Sequence, residues 1–155
     1  MRHFWLSVLF LVVFVFADKI EVTAEQMEAY EETKEIHFIG NVKIKQNKSW
    51  LDADKVIVFF DENNETKEYQ ALGDVKFEVK EPNRHFKGKA QKVQYFPLIS
   101  RYHLYEQATI DDLINKRHLA GTEIMLDMTT GRSTVKGKKN KPVRFIFDIQ
   151  KSEKK

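Results

Sequence analysis

Outside the first 17 residues, the side chains best suited to proton transfer or metal binding are His37, His85, His103 and His118 and the acidic pairs Asp52 with Asp54 and Asp111 with Asp112. Each histidine stands alone in an alternating stretch with no second ligand at metal spacing, so no metal site is expected. The acidic pairs read as solvated strand ends and turns, because no two carboxylates share an inward face as acid–base chemistry requires. The chain has no cysteine, which excludes a disulfide scaffold and thiolate ligation. Asn64-Glu65-Thr66 matches a glycosylation acceptor, but Asn and Asp are also what a turn needs, and it is read as a turn. Neither an enzyme nor a cofactor is predicted. What remains for function is binding by apolar side chains.

Those side chains are set by a strand pattern. In residues 71–79 the positions Ala71, Gly73, Val75, Phe77 and Val79 are apolar or small while Asp74, Lys76 and Glu78 are charged, the period of two of a half-buried strand. In residues 50–60 the phase slips: Leu51 and Ala53 have one parity, Val56, Val58 and Phe60 the other, as at a β-bulge. The same slip recurs where Ile20, Val22 and Ala24 give way to Met27 and Ala29, where Phe86, Gly88 and Ala90 give way to Val93 and Tyr95, and where Leu119 and Gly121 give way to Ile124, Leu126 and Met128. The small anchors Ala24, Ala53, Ala90 and Gly121 are 29, 37 and 31 residues apart, a repeat of stacked units each too small to bury its own apolar face. Phe38, Val42 and Ile44, then Tyr102, Leu104, Ala108 and Ile110, continue the inward set, with Glu106 on the apolar side read as a rim; Val143, Phe145, Phe147 and Ile149 form a last strand. No stretch keeps a 3.6-residue period, so no helix is expected beyond residue 17.

At 155 residues, 42% hydrophobic and 32% charged, the chain supports one domain with a core and a wetted outer face. Residues 4–17 carry no charge and end Val15-Phe16-Ala17, a secretory signal peptide cleaved before Asp18. Fourteen apolar residues fall short of the roughly 20 needed to span a bilayer, although an uncleaved anchor is the competing reading. The expected division is a signal-peptide helix over 1–17, a β domain over 18–150 and a basic tail over 151–155. The pI near 8.9 comes from Lys136, Lys138, Lys139, Lys141, Arg144, Lys151, Lys154 and Lys155. Without interleaved aromatics or a recognition motif they do not point to nucleic acid.

Phe38-Ile39-Gly40-Asn41-Val42 followed by Leu51-Asp52-Ala53-Asp54-Lys55-Val56, then Gly88-Lys89-Ala90-Gln91-Lys92-Val93-Gln94-Tyr95 and Ala120-Gly121-Thr122-Glu123-Ile124, carry a resemblance over residues 19–150. The chain resembles the OstA-like family typified by the lipopolysaccharide-transport protein LptA. It departs at Glu106-Gln107-Ala108, where Gly-Asn is typical of the family. The resemblance implies an all-β, twisted, open jelly roll of two antiparallel sheets, located in the periplasm and bridging inner and outer membranes. It implies lipopolysaccharide as ligand, an LptC-like partner at the inner membrane, an LptD-like partner at the outer membrane, and head-to-tail self-association. An LptC-like protein keeping residues 4–17 as an anchor is the alternative. The lipid groove is expected along Ile20, Val22, Met27, Phe38, Val42, Ile44, Leu51, Val56, Val58, Val75, Phe77, Val93, Tyr95, Leu104, Ile124, Leu126 and Phe145. The same side chains would otherwise fill a sandwich core.

Overall fold

A computed structural model describes residues 19–149; the expected signal peptide and basic tail lie outside them. Ten strands follow one another: β1 Glu21–Thr23, β2 Gln26–Tyr30, β3 Glu35–Gln46, β4 Ser49–Phe60, β5 Thr66–Glu81, β6 Arg84–Phe96, β7 Arg101–Asp112, β8 Arg117–Asp127, β9 Arg132–Lys136 and β10 Arg144–Phe147. All described pairings are antiparallel, in the order β1-β3-β4-β5-β6-β7-β8-β10, with β2 also on β3 and β9 also on β8.

The two sheets expected from the sequence are two leaves of one hydrogen-bonded sheet. Every long strand bends midway, and the ladder register shifts there: between Ile39 and Val42, Asp52 and Lys55, Leu72 and Val75, Lys89 and Lys92, and Tyr105 and Ala108. The first leaf holds β1, β10 and one half of β3 to β8; the second holds β2, β9 and the other halves. At the chain's ends the bend breaks the strand outright, separating β1 from β2 and β9 from β10. The leaves face each other: the Phe77 ring stacks on Tyr102 at 6.4 Å although the two are not ladder neighbours.

The bend has a local chemistry. In β3 and β5 it is made by a glycine followed by an amide or acid in the left-handed region, Gly40 (φ 89°) with Asn41 (47°) and Gly73 (86°) with Asp74 (44°). The absent side chain of Gly40 leaves room for Glu25, and that of Gly73 for Asp54. In β7 the same backbone is made by Glu106 (φ 67°) and Gln107 (52°). Glu106 is therefore not at a rim: it lies at the exposed outside of the bend, in the middle of its strand. A non-glycine residue there costs roughly 1–2 kcal/mol.

Alternation then buries Val42, Val56, Val75, Leu104, Ile110 and Ile124 between the leaves with relative exposure of 2% or less, the centre of a continuous core. Asp112 is the only buried charged residue described; it orders the β7–β8 turn by accepting from the amides of Ile114 and Asn115 and from Asn115 Nδ2 and Arg117, both at 2.9 Å.

Glu106→Gly is expected to raise stability by about 1 kcal/mol by relieving the left-handed backbone. Gly73→Ala meets both that penalty and the Asp54 carboxylate, and is expected to lose more than about 2 kcal/mol. Urea unfolding of the two variants should move the midpoint in opposite directions; a destabilised Glu106→Gly protein would contradict this account of the bend.

Candidate functional site

Between the leaves a cleft of about 270 Å³ opens to solvent on the side away from the bend. The first leaf contributes Ile44, Leu51, Phe77 and Val79, with Ile20 at its edge, and the second contributes Val56, Tyr69, Ala71, Val93, Tyr95 and Tyr102. Most of these follow from the pleat. Ile44 is opposite Leu51 and Leu51 opposite Phe77 in the ladder, so one inward row runs across three strands. On the second leaf Tyr69, Tyr95 and Tyr102 are successive ladder partners, and their rings stack at 5.9 and 4.4 Å. Gly88 lies opposite Phe77, and a Cβ there would come within 2.5 Å of the Phe77 ring, so the missing side chain is what lets Phe77 turn inward.

At the mouth the lining becomes polar. Trp50 Nε1 donates to Glu78 at 3.0 Å, and His85 shares a hydrogen bond with the other Glu78 oxygen. The His85 contact, reinforced by Trp50, holds the Glu78 carboxyl below its usual range against the opposing effect of burial. Deeper in, burial pushes the phenols of Tyr95 and Tyr102 above the ordinary value, with the negative field of neighbouring groups adding to it at Tyr102. The cleft is thus an apolar slot with a row of stacked tyrosines on one wall and one charged carboxylate at its lip.

Among the predicted lining residues, Ile20, Ile44, Leu51, Val56, Phe77, Val93 and Tyr95 border this cleft. Val42, Val75, Leu104 and Ile124 expose nothing and Val58 almost nothing; they are core. Val22, Phe38 and Leu126 pack against that core from its margin. Met27 and Phe145 lie on the two edge strands with about half their surface exposed, 59% and 48%. Tyr69, Ala71, Val79 and Tyr102 line the cleft as well, as their parity marks them, and are not among the predicted lining residues. Trp50 and Glu78 are one position off that parity and reach the mouth only because they are near strand ends, which alternation does not signal. His37, His85, His103 and His118 are each paired with a carboxylate, and among the described residues no three His, Cys, Asp or Glu side chains gather as a metal site. Nothing in the cleft pairs a nucleophile with a base.

Residues 21–132 match the model of a family described as LptA/(LptD N-terminal domain) LPS transport protein. Among solved structures the chain is similar to that of LptH from Pseudomonas aeruginosa, described as the LptA-homologous periplasmic component of the conserved lipopolysaccharide transport device. The TM-score is 0.73 and the identity 18%, over 84% of this chain and 96% of that one. No curated protein matches the chain.

Because burial holds Tyr102 un-ionised, its folded pKa exceeds the ordinary phenol value of about 10. The stability this confers is fully present below that value and is lost as pH rises through the folded pKa. Absorbance titration should therefore show tyrosine ionising late and together with unfolding, and Tyr102→Phe should flatten the fall in stability above about pH 10. An unchanged alkaline limb in the variant would mean another group controls it.

Proposed function

The chain belongs to the LptA/(LptD N-terminal domain) family of lipopolysaccharide transport proteins, and from that footing we propose that it is a periplasmic bridge component that shields the acyl chains of lipopolysaccharide between its two leaves. The observation carrying this reading is the open apolar cleft. An acyl chain of a dozen carbons left in water costs on the order of 10 kcal/mol, at about 0.8 kcal/mol per methylene, so passage between membranes needs an apolar lining. The cleft's volume lies just below the roughly 300–1,000 Å³ of ordinary ligand pockets, which suits one chain and requires the leaves to part for several. The lip formed by Trp50 and Glu78 would stay with the polar headgroup.

A photo-crosslinking residue at Phe77 or Tyr95 is expected to capture lipopolysaccharide, and one at Lys76 or Gln94 is not, since neighbouring strand residues face opposite sides. Equal capture from both parities would make the contact a surface effect and overturn the reading.

The bridge is proposed to extend head to tail, to further copies and to jelly-roll partners at the inner and outer membranes. Both sheet edges present unpaired strands. Around β1 and β2 stand Glu21, Glu25, Glu28, Glu31, Glu32 and Glu35 against Lys19 and Lys34; around β9 and β10 stand Arg132, Lys136, Lys138, Lys139, Lys141 and Arg144 against Asp148. Phe145, Ile146 and Phe147 on β10 are about half exposed. Light scattering should show association that weakens between 50 and 500 mM salt and is abolished by deleting residues 143–155, with the β1-to-β9 fold intact by circular dichroism. Oligomers that survive the deletion would sink the edge-strand route.

A further inference from the structure

Among the described residues, the large apolar side chains that stay well exposed fall into two groups. Ile20, Met27 and Tyr30 sit on or beside β1 and β2, and those of residues 143–149 on or beside β10, so they belong to the sheet edges. The second group, Leu98, Ile99, Leu113 and Ile114, is between 41% and 61% exposed and lies off both edges. Leu98 and Ile99 are in the turn before β7, Leu113 and Ile114 in the turn after it. Because β7 bends midway, where its register on β8 shifts between Tyr105 and Ala108, its two ends reach the free margins of opposite leaves. Both tips therefore stand on the side where the cleft opens, and Pro97, next to Leu98, lines the cleft itself.

Turn geometry does not ask for these residues. The β4–β5 turn is built from Asp61, Glu62, Asn63, Asn64 and Glu65 and the β5–β6 turn from Pro82 and Asn83, mostly the residue types that turns favour. In the two apolar tips other groups close the turn: Ile99 N–H donates to the Phe96 carbonyl at 3.2 Å, and Asp112 accepts from Ile114 N–H at 3.2 Å. The aliphatic side chains take no part and are left outward on ordered backbone.

The margins around the tips differ in charge. The first leaf's margin carries Lys45, Lys48, Lys80 and Lys116, all exposed and none in an ion pair among the described residues. Glu81 beside them pairs with Arg84 at 3.9 Å. Glu31, Glu32, Asp61, Glu62 and Glu65 stand on the other leaf's margin, in the β2–β3 and β4–β5 turns, away from the apolar tips.

We propose that the two ends of β7 dock on a membrane surface rich in anionic phospholipid, with the four aliphatic side chains entering the interface and the four lysines facing phosphate headgroups. Convex aliphatic tips flanked by cations fit a fluid interface, whereas a protein partner would need a separate pocket for each tip. The acidic turns set the tilt: repelled by the surface, they keep the β2 to β5 end of the second leaf away from it. Docking depends on the tips and not on what the cleft holds. Its consequence rests on the acyl-shielding reading above: the cleft's mouth is set against the bilayer, so a chain passes between them without crossing water.

The chain has no cysteine, so single nitroxide labels can be placed by Ile99→Cys and Ile114→Cys, with Asn63→Cys on an acidic turn and Thr134→Cys on β9 as controls. The full chain is mixed with vesicles of phosphatidylcholine containing about 30% phosphatidylglycerol, and with phosphatidylcholine alone. Because the apolar run over residues 4–17 can itself hold the chain on a vesicle, label depth rather than retention is read, from relaxation by oxygen and by a water-soluble nickel complex. On the anionic vesicles the labels at 99 and 114 are expected to gain oxygen contact and lose nickel contact, while those at 63 and 134 stay in water. Lys48→Ala with Lys116→Ala should lower the inserted-to-aqueous ratio at 114 about tenfold. Both lysines are exposed, so circular dichroism should be unchanged. Labels at 99 and 114 that stay in water, insertion of all four labels alike, or equal insertion into phosphatidylcholine alone would each overturn the proposal. The first of these, with lipopolysaccharide still captured at Phe77 or Tyr95, would leave the cleft reading standing and give the tips to a protein partner.

Discussion

Everything in this fold hangs on the bend that each strand makes at its middle. A sheet with a wetted outer face and an apolar inner face must cover the inner one, and folding the sheet along a line perpendicular to its strands does so with no second domain. The register shifts at Ile39/Val42, Leu72/Val75 and Tyr105/Ala108 draw that line across the ladder. Because each long strand belongs to both leaves, the leaves are tied at the bend by continuous backbone and elsewhere only by side-chain packing such as Phe77 on Tyr102. Parting them at the mouth breaks ring contacts but no ladder hydrogen bond. Opening is therefore cheap compared with unfolding, as the proposed carrier role requires.

The interior is graded along the strands. Far from the bend Ile44, Leu51, Tyr69 and Tyr95 leave the cleft open, while beside the bend the fully buried Val42, Val75, Leu104 and Ile124 close it. Exposing such side chains costs about 1.5–3 kcal/mol each, whereas a dodecyl chain gains on the order of 10 kcal/mol on leaving water. On the proposed reading, that balance would let an entering chain part the packed side chains next to it. In the proposed role, the closed end keeps the empty protein folded and the cargo supplies what is needed to open it.

The strand pattern was legible in the sequence for reasons the bend explains. In β4, β6 and β8 the inward residues on either side of it are three apart, Ala53 to Val56, Ala90 to Val93 and Gly121 to Ile124, which flips parity and shows as a slip. In β3, β5 and β7 they are four apart, Phe38 to Val42, Ala71 to Val75 and Leu104 to Ala108, which preserves parity. Residues 71–79 therefore read as one straight strand, and Glu106 as a rim. Alternation gave the inward face but not its depth, so Val42 and Leu126 could not be told from Ile44 and Tyr95. Depth depends on how far the leaves diverge, which is a property of the whole sheet. Trp50 and Glu78 escaped for another reason: strand ends twist out of the parity their neighbours obey.

The edges finish the argument, since an open sheet always risks indiscriminate pairing. Here the β1/β2 edge is acidic and the β9/β10 edge basic. Two copies meeting acid to acid or base to base place like charges face to face at contact range, where screening over roughly 8–10 Å helps least. Only the acidic edge against the basic one is attractive, a heterologous contact that leaves one free edge of each kind and so does not close. In the proposed head-to-tail bridge this charge asymmetry would disfavour the two symmetric pairings and favour the orientation in which the cleft of one molecule runs on into the next.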